Sequence, residues 1–435
     1  MDTCATSSAT ATLRPWLAAL ACACLVGVAA TRPARAADSE LLVDPASVPG
    51  DELGFALDGD ANHIVAGSPG RDGGTGAVDL FDCASVPCAP PLRIDAADGA
   101  AGDRFGAALA LDAGTLVVGA PGRIPAAVYV FVQAGGNWAL QARIDAPAGP
   151  SSAGFGVALD VRGDRLVVGA DRADDNAGAV YVFARAGSAW SLEARLVADD
   201  AAAGDRLGRA LALHEDAFVA GAPFEAGDAP GGYARGAVYL FQRFQSEWSQ
   251  GPKFAANAAA DGDLLGFSVA FDGQSIAAGA PMADARIGAT VLFMQAGSTW
   301  SQRARLVPPA GVPGDRFGWS VALTPDVEVL VGAPYALDGC GAATLYARTG
   351  ATWNPTSRAT LDAPLAATMA GWAVAVSNQR LAVAAPGHAG ALEHRGGVHL
   401  FGGGDVLFRD GFELPVADLA CAVAKRSAAV GGPGH

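Results

Sequence analysis

Short apolar runs separated by turn residues fill most of the chain, and their pattern repeats. In one copy, four such runs cover residues 107–111, 116–120, 127–131 and 138–144, with Gly, Asp, Asn or Pro between them. Apolar runs of this length bounded by turn residues predict β-strands. Runs such as Leu166-Val167-Val168 are continuously apolar rather than alternating, as expected where neighbouring sheets cover both faces of a sheet. The pattern therefore predicts four strands per repeat.

Two glycine motifs recur at nearly constant spacing. A Phe-Gly-like pair opens each copy, and its glycine is Gly54, Gly106, Gly156, Gly208, Gly266, Gly318 or Gly371. A Gly-Ala-Pro-like triplet follows, and it begins at Gly67, Gly119, Gly169, Gly221, Gly279, Gly332 or Ala384. The offset between the motifs is 13 residues in six copies and 14 in the sixth. Seven copies with four strands each predict an all-β protein, a seven-bladed β-propeller of four-stranded antiparallel blades.

The two ends of the repeat array indicate how the ring closes. A fourth strand precedes the next Phe-Gly pair in the inner copies, as residues 193–197 do, and residues 40–43 before the first pair resemble it. The seventh copy ends at Phe401 and runs into Gly402-Gly403-Gly404 without such a strand. We therefore predict that the N-terminal strand completes the last blade, which removes an open sheet edge.

The motifs resemble those of the FG-GAP repeat family. Phe105-Gly106 with Gly119-Ala120-Pro121, and residues 317–318 with 332–334, match its motif in full, and the resemblance covers about residues 40–401. This repeat forms the seven-bladed propeller head of integrin α-subunits, and the chain is more similar to bacterial secreted relatives. The resemblance implies extracellular recognition or adhesion rather than one defined reaction.

The calcium sites that the family often carries are not expected here. The family places them in the hairpin between the first two strands, with several Asp or Asn oxygens around a glycine turn. The equivalent hairpins, at residues 112–115, 162–164 and 272–274, offer one carboxylate each and are too short to surround Ca²⁺ with six to eight oxygens. We therefore expect neither a metal site nor another cofactor.

The termini differ from the repeat region in composition. Residues 1–36 are predicted to be a signal peptide, because an apolar run at 16–30 precedes the small-residue site Ala34-Arg35-Ala36. Residues 37–401 form the predicted propeller, and residues 402–435 form a tail that is interpreted as a sorting signal or a strand packed on the ring. The protein is thus expected to be secreted or at the cell surface, and a periplasmic location stays open.

Charge and cysteine content restrict the possible partners. A net charge of −15 argues against nucleic acid and against an anionic membrane surface. After removal of the signal, no segment is expected to insert into a membrane, and the chain is expected to be a monomer. Cys83 and Cys88 bracket a four-residue hairpin loop and are predicted to form a disulfide, whereas the pairing of Cys340 and Cys421 stays open.

Two residue types recur at fixed positions in the repeat, and each admits two interpretations. An Asp three residues before the first glycine sets a turn or contributes to an acidic ring, and we favour the turn. A Trp seven residues after the last aromatic residue of the third strand packs at the outer edge or stacks on sugars, and we favour packing. The aspartates are Asp51, Asp103, Asp205, Asp263 and Asp315, and the tryptophans are Trp138, Trp190, Trp248, Trp300 and Trp353.

The loop after each triplet is interpreted as the most variable segment and as a candidate for ligand contact. This loop and the loop before each first strand are predicted to lie at the same end of a blade. Tyr233 and Arg235 are the leading candidates, because aromatic and Arg residues dominate binding energy at surfaces. The other candidates are Asp171, Asp174, Asp175, Glu225 and Asp228, and the seventh copy adds His388, Glu393, His394 and Arg395.

Catalytic signatures are absent from the sequence. We found no Gly-x-Ser-x-Gly elbow, His-Glu-x-x-His or Walker phosphate loop, so the chain is not expected to be an enzyme. The first hypothesis is a secreted or surface-associated recognition or adhesion module that binds a protein or glycan through one propeller face. The alternatives are a polysaccharide-active enzyme, which would need converging carboxylates in the central cleft, and a purely structural secreted protein.

Overall fold

Seven four-stranded sheets make up the fold. The computed structural model describes residues 39–226, 234–324, 327–359, 368–377, 380–387 and 395–401. Within these residues every sheet is antiparallel, and six of the seven consist of strands that are consecutive in the chain. This arrangement confirms the seven-bladed β-propeller.

The strands are numbered in chain order, and the sheets are called blades I to VII. Strand β1 is Ser39–Leu42. Blade I contains β2 (Leu57–Gly59), β3 (His63–Ser68), β4 (Ala77–Asp82) and β5 (Leu92–Ile94), and blade II contains β6 (Ala108–Asp112), β7 (Thr115–Ala120), β8 (Ala127–Ala134) and β9 (Asn137–Asp145). Blade III contains β10 (Phe155–Arg162), β11 (Arg165–Ala170), β12 (Ala179–Ala186) and β13 (Ala189–Leu196), and blade IV contains β14 (Ala210–His214), β15 (Ala217–Ala222), β16 (Ala237–Phe244) and β17 (Glu247–Phe254). Blade V contains β18 (Ser268–Phe271), β19 (Ser275–Ala280), β20 (Ala289–Ala296) and β21 (Thr299–Leu306), and blade VI contains β22 (Ser320–Leu323), β23 (Val329–Ala333), β24 (Ala342–Thr349) and β25 (Thr352–Ala359). Blade VII contains β26 (Val374–Ser377), β27 (Arg380–Ala384) and β28 (Val398–Phe401) together with β1.

The N-terminal strand closes the ring, as predicted. Strand β1 pairs antiparallel with β28, from Ser39 opposite Phe401 to Leu42 opposite Val398. The segment after β1 then contacts blades I and VII, because Asp44 forms a salt bridge with Arg71 and Ser47 Oγ donates a hydrogen bond to the carbonyl oxygen of Arg395. First and last blades are therefore joined by backbone pairing and by buried polar contacts.

The glycines of the two motifs hold neighbouring blades together at backbone distance. Within blade II, Gly106 N donates a hydrogen bond to the carbonyl oxygen of Gly119 at 3.1 Å. Across the junction of blades I and II, a Cβ added to Gly67 would lie 2.0 Å from the carbonyl oxygen of Gly106. The same clash recurs at the triplet glycines of blades II to VI, with distances from 1.9 to 2.4 Å. Only a residue without a side chain fits there, which explains why both motifs repeat.

The apolar core lies between blades rather than within them. The cluster between blades II and III contains Val117 and Val130 from one sheet and Phe155, Leu166 and Val168 from the next. The phenylalanine of the Phe-Gly pair packs against the tyrosine of the third strand, with ring centroids 5.3 Å apart for Phe105–Tyr129 and 5.5 Å for Phe155–Tyr181. Because both faces of a sheet are covered, its inner strands are continuously apolar.

Short helical turns connect the second and third strands of four blades. They are α1 (Arg71–Gly74), α2 (Ala173–Asn176), α3 (Ala283–Arg286) and α4 (Ala336–Gly339), and a 3₁₀ turn, Pro150–Ser152, precedes blade III. In each the two central residues are left-handed, as in Asp174 (φ 50°) and Asp175 (φ 57°). These four loops therefore share one backbone turn, although their residues differ between copies. Among the described residues, no helix has the length and apolar character needed to cross a membrane.

Candidate functional site

One end of the ring gathers two sets of connections. In blades I to V the turn before the first strand hydrogen bonds to the loop after the triplet of the same blade, as Gly122 N does to Asp103 O and Arg172 N to Ala153 O, each at 3.1 Å. This pairing confirms that both connections lie at the same end, which we call the loop face. The hairpins between strands one and two, and between strands three and four, lie at the opposite end, which we call the hairpin face.

Aromatic side chains line the loop face directly after the Phe-Gly pairs. The residue that follows the pair's glycine is aromatic in four consecutive blades: Phe267 in blade V, Trp319 in VI, Trp372 in VII and Phe55 in I. The ring centroids of successive members are 4.6, 5.0 and 5.6 Å apart. Their planes are inclined by 47°, 48° and 45°, close to the rotation of about 51° between blades of a seven-bladed ring. We call these four half-buried residues the aromatic arc.

The arc lies at the mouth of the central channel. The first strands of all seven blades line a cavity of about 280 Å³, with Leu111, Ala212 and Val376 among the lining residues. Blades diverge away from the axis, so side chains of adjacent first strands meet directly only near the centre. Since the arc residues come just before the first strands, their rings lie along one side of the channel entrance on the loop face.

Arginines lie over the rings of this face. Arg104 Cζ is 5.4 Å from the Phe55 ring centroid, Arg209 Cζ is 5.2 Å from that of Phe267, and Arg316 Cζ is 5.6 Å from that of Trp319. Beside the arc, Arg316 Cζ is 4.2 Å from the Tyr335 ring centroid, and Arg206 Cζ is 4.8 Å from that of Phe224. Each such contact between a guanidinium and a ring face is attractive.

The backbone that presents three of these arginines is left-handed. Arg104, Arg206 and Arg316 each lie two residues before the pair's glycine, with φ of 56°, 58° and 58°. A residue with a side chain pays about 1–2 kcal/mol in this conformation. The equivalent Leu264 and Met369 also have positive φ, so the turn belongs to the scaffold and does not depend on which side chain it carries.

Few carboxylates balance these arginines. Among the described residues, Arg206, Arg209 and Arg316 form no salt bridge, whereas Arg104 Nη2 lies 3.9 Å from Glu52 Oε2. Burial lowers the pKa of Arg209, and Arg206 lowers it further, while Asp171 opposes both. The mouth of the channel thus combines apolar ring faces with cationic N–H donors.

Two carboxylates face the channel below the arc. Asp58 accepts hydrogen bonds from Gly59 N and Leu111 N, both at 2.8 Å, so it links the first strands of blades I and II. Asp160 links blades III and IV in the same way, through Val161 N at 2.8 Å and Leu213 N at 2.7 Å. Burial raises the pKa of Asp58 to about 6 and that of Asp160 to about 7.

Comparison with known families identifies the repeat. The model of the FG-GAP repeat matches residues 92–131, 138–183, 190–241 and 300–346. Each matched segment runs from the fourth strand of one blade to the third strand of the next, and so contains one Phe-Gly pair and one triplet. The chain is an FG-GAP repeat propeller. No curated protein matches it.

The binding candidates of this FG-GAP propeller that lie within the described residues belong to blades III, IV and VII. Glu225 is buried, with Oε1 2.9 Å from Lys253 Nζ, and Arg235 Nε lies 2.8 Å from Asp261 Oδ1. Asp174 forms an ion pair with Arg195 on the fourth strand of its blade, and Asp175 is exposed. Asp228, Tyr233, His388, Glu393 and His394 lie outside the described residues.

Asp171 is a candidate that interacts with arginines of the loop face. It is buried at the loop face of blade III, and Arg209, Arg172 and Arg206 lower its pKa against a larger rise caused by burial. The arc itself was missed at the sequence level, because no candidate came from the position after the Phe-Gly pair. The available signal was the recurrence of aromatic residues at that position in four copies.

The recurrent aspartates and tryptophans have the structural roles that we favoured. Asp51 Oδ2 accepts a hydrogen bond from Val48 N at 2.8 Å and Asp103 Oδ2 accepts one from Ala100 N at 2.9 Å, and the other three do the same. Four of the five tryptophans are partly buried against the inter-blade clusters, and Trp353 is buried within one. Both sets therefore stabilise the blades.

The predicted disulfide is present. Cys83 and Cys88 are bonded across their hairpin, and both contribute to the cluster between blades I and VII. Cys340 is also disulfide-bonded, and Cys421 lies outside the described residues. The predicted signal peptide and the C-terminal tail lie outside the described residues as well.

Proposed function

We propose that this FG-GAP propeller is a secreted or surface-associated recognition module that binds a protein or glycan through the aromatic arc of its loop face. The arc carries this proposal, because it places four half-buried rings from four consecutive blades along one side of one opening. Half-buried rings keep apolar surface available to a ligand. The proposed role is binding without catalysis.

The physical properties of the arc suit binding. Aromatic and Arg side chains contribute most of the energy at interfaces, and rings lose little conformational entropy when a ligand covers them. Phe267, Trp319, Trp372 and Phe55 contact each other in sequence, and arginines lie over three of them. The arc is thus held in place before a ligand arrives, which lowers the entropic cost of association.

Export is supported by two observations. The Cys83–Cys88 disulfide is of the kind that persists in oxidising compartments. FG-GAP repeats, which match four segments of this chain, are typical of extracellular proteins. Together with the predicted signal peptide, these features support a location outside the cytoplasm and an extracellular ligand.

The channel carboxylates favour a second candidate, a polysaccharide-active enzyme. Asp58 and Asp160 have raised pKa values of about 6 and 7, which would suit a general acid at neutral pH. However, both oxygens of each carboxylate already accept backbone N–H groups from two blades. This use of the oxygens favours a scaffold role. Release of reducing sugar from a polysaccharide, abolished by Asp160→Asn, would support the enzyme instead.

The proposal is tested by probing arrays of glycans and extracellular proteins with the mature chain. For a ligand that binds, the double variant Trp319→Ala/Trp372→Ala should weaken affinity at least about tenfold, as expected for loss of two central aromatic contacts. Phe244→Ala is the matched control, because Phe244 is an aromatic residue 75% exposed on the hairpin face. The control should bind like the parent.

A second double variant tests the candidates predicted from the sequence. Tyr233→Ala/Arg235→Ala changes the segment after the triplet of the fourth copy and no residue of the arc, and a smaller loss of affinity than in the tryptophan pair is expected. Thermal midpoints of all variants show whether they fold. A folded Trp319→Ala/Trp372→Ala protein that binds with parental affinity would remove the arc as the binding surface.

A further inference from the structure

The arginines at the channel mouth differ from the cations on the outer strands. On the fourth strands, Arg143, Arg195 and Arg305 each form a salt bridge with an aspartate, namely Asp98, Asp174 and Asp284. At the mouth, Arg206, Arg209 and Arg316 form none with any described residue, although the chain carries a net charge of −15. Asp171 attracts Arg206 and Arg209 but forms a salt bridge with neither, so these three arginines together carry an excess of positive charge at this face.

The geometry leaves these arginines able to bind an anion. Arg209 and Arg316 lie over Phe267, Trp319 and Tyr335, and this packing restricts the guanidinium groups without satisfying their N–H donors. A guanidinium has five donors and pairs with a carboxylate or sulfate through two parallel hydrogen bonds. A ligand that brings such groups to the arc would supply the missing partners.

We propose that the aromatic arc binds an acidic polysaccharide, a chain of sugar rings that carry carboxylate or sulfate groups. This inference rests on the proposed recognition function and narrows its ligand. The sugar rings would lie on Trp319 and Trp372, and the acidic groups would pair with Arg209 and Arg316. The partly apolar face of a sugar ring suits an aromatic ring, and its acidic substituent suits the adjacent arginine.

Other acidic polymers fit the mouth less well. An acidic peptide would neutralise the arginines but would place few apolar groups on the four rings of the arc. Single-stranded nucleic acid could stack on the rings, yet its binding depends on many cations along the backbone, and this chain has an excess of negative charge. An acidic glycan combines apolar faces with widely spaced charges.

The first experiment is calorimetric titration of the mature chain with defined probes. The acidic probes are oligogalacturonate, oligomannuronate, hyaluronan oligosaccharide and heparin oligosaccharide. The first three are matched by their carboxyl-reduced forms and heparin by its desulfated, N-acetylated and carboxyl-reduced form, which keep the rings and lose all acidic groups. At least one acidic probe should bind, its neutral match should bind at least tenfold more weakly, and added NaCl should weaken only the acidic form. Polyglutamate and an oligothymidylate should bind more weakly than the best glycan.

The second experiment locates the site with matched variants. Arg209→Gln/Arg316→Gln keeps the side-chain stems on the rings and removes both charges, so it should reduce affinity for the acidic probe at least tenfold. It should leave the weak affinity for the neutral match unchanged. Arg348→Gln is the control, since Arg348 Cζ lies 5.1 Å from the Trp353 ring centroid on the hairpin face. Thermal midpoints confirm that each variant is folded.

Several outcomes would overturn this inference. In the titrations, these outcomes are equal binding of the acidic probe and its neutral match, tighter binding of polyglutamate or oligothymidylate than of any glycan, and no binding of the four acidic glycans. In the variant experiment, the outcome is parental affinity of a folded Arg209→Gln/Arg316→Gln protein for the acidic probe. The recognition function itself would fail if the folded Trp319→Ala/Trp372→Ala protein bound every ligand with parental affinity. A neutral glycan or protein whose binding depends on Trp319 but not on Arg209 and Arg316 would leave that function standing and remove only the acidic ligand.

Discussion

One buried carboxylate should control how the stability of this propeller depends on pH. Asp79 lies on β4 and is fully buried, with Oδ2 3.4 Å from Ser68 Oγ and 3.5 Å from Arg71 Nη1. Its Oδ1 has no hydrogen-bond partner among the described residues. Burial, followed by repulsion from Asp44, raises the pKa of Asp79 to about 6, although Arg71 opposes the rise. The equivalent third-strand positions of blades II to IV carry Tyr129, Tyr181 and Tyr239.

The sign and size of the effect follow from this pKa. The folded-state pKa of Asp79 lies above the unfolded value of 3.8, so the folded protein holds an extra proton between about pH 4 and 6. Ionised Asp79 therefore destabilises the fold above about pH 6, and this penalty vanishes as the pH falls toward 4. A rise of about two pKa units corresponds to about 3 kcal/mol, or about 4 °C in the thermal midpoint of a domain of this size.

The variant Asp79→Asn removes the charge while keeping the shape of the side chain. Its thermal midpoint should exceed that of the parent by about 3–4 °C at pH 8, and the difference should shrink to nothing by pH 4. Differential scanning calorimetry between pH 4 and 8 measures both quantities. Asp82→Asn, at the exposed end of the same strand, is the control and should follow the parent throughout. A variant that is less stable at pH 8, or that differs from the parent by the same amount at every pH, would refute the reasoning.

Three further changes test the ring and its expected lack of calcium. Deleting residues 37–48 removes β1 and should cause aggregation or a large loss of stability, whereas a monomeric variant that melts like the parent would contradict closure by this strand. Gly67→Ala places a Cβ 2.0 Å from the carbonyl oxygen of Gly106 and should cost at least about 2 kcal/mol in chemical denaturation. The control Gly251→Ala meets its nearest atom at 3.4 Å and should cost less than half of that. Chelation with EDTA should change the thermal midpoint by less than about 2 °C, and a shift of ten degrees would reveal a bound metal.

The scaffold could be predicted from the sequence because its determinants are local and repeated. The glycine of the Phe-Gly pair and that of the triplet meet through their backbones, as Gly106 and Gly119 illustrate, and six copies keep both, whereas the seventh has Ala384 at the triplet position. Ring closure was also predictable, since the last copy lacks a fourth strand after Phe401 and an additional strand at residues 40–43 precedes the first copy. None of these inferences needed a side-chain contact between distant copies.

The shared backbone turn of four loops after the triplets was not predicted, because the residues of these loops differ while their backbone does not. Asp174 and Asp175 in blade III correspond to Asp284 and Ala285 in blade V, and all four are left-handed. Asp tolerates this conformation better than most residues, so it signals the turn in both copies. The length of the loop also indicated that the turn is shared. The triplet glycine and the glycine before the third strand are nine residues apart in blade III, at Gly169 and Gly178, and in blade V, at Gly279 and Gly288.

The aromatic arc shows which kind of information a repeat sequence carries about a binding surface. Each member follows an invariant scaffold glycine, so on its own it resembles another core residue. Comparison of the same position across copies instead separates an aromatic half, with Phe55, Phe267, Trp319 and Trp372, from Ala107, Val157 and Arg209. Ring closure then makes neighbours of Phe55 and Trp372, which lie near opposite ends of the repeat array, at 5.6 Å. In a closed propeller, the residues that all copies share determine the scaffold. A site at the channel mouth is determined by the residues that differ between copies at one equivalent position. Such a site can be recognised only when the copies are placed around the ring.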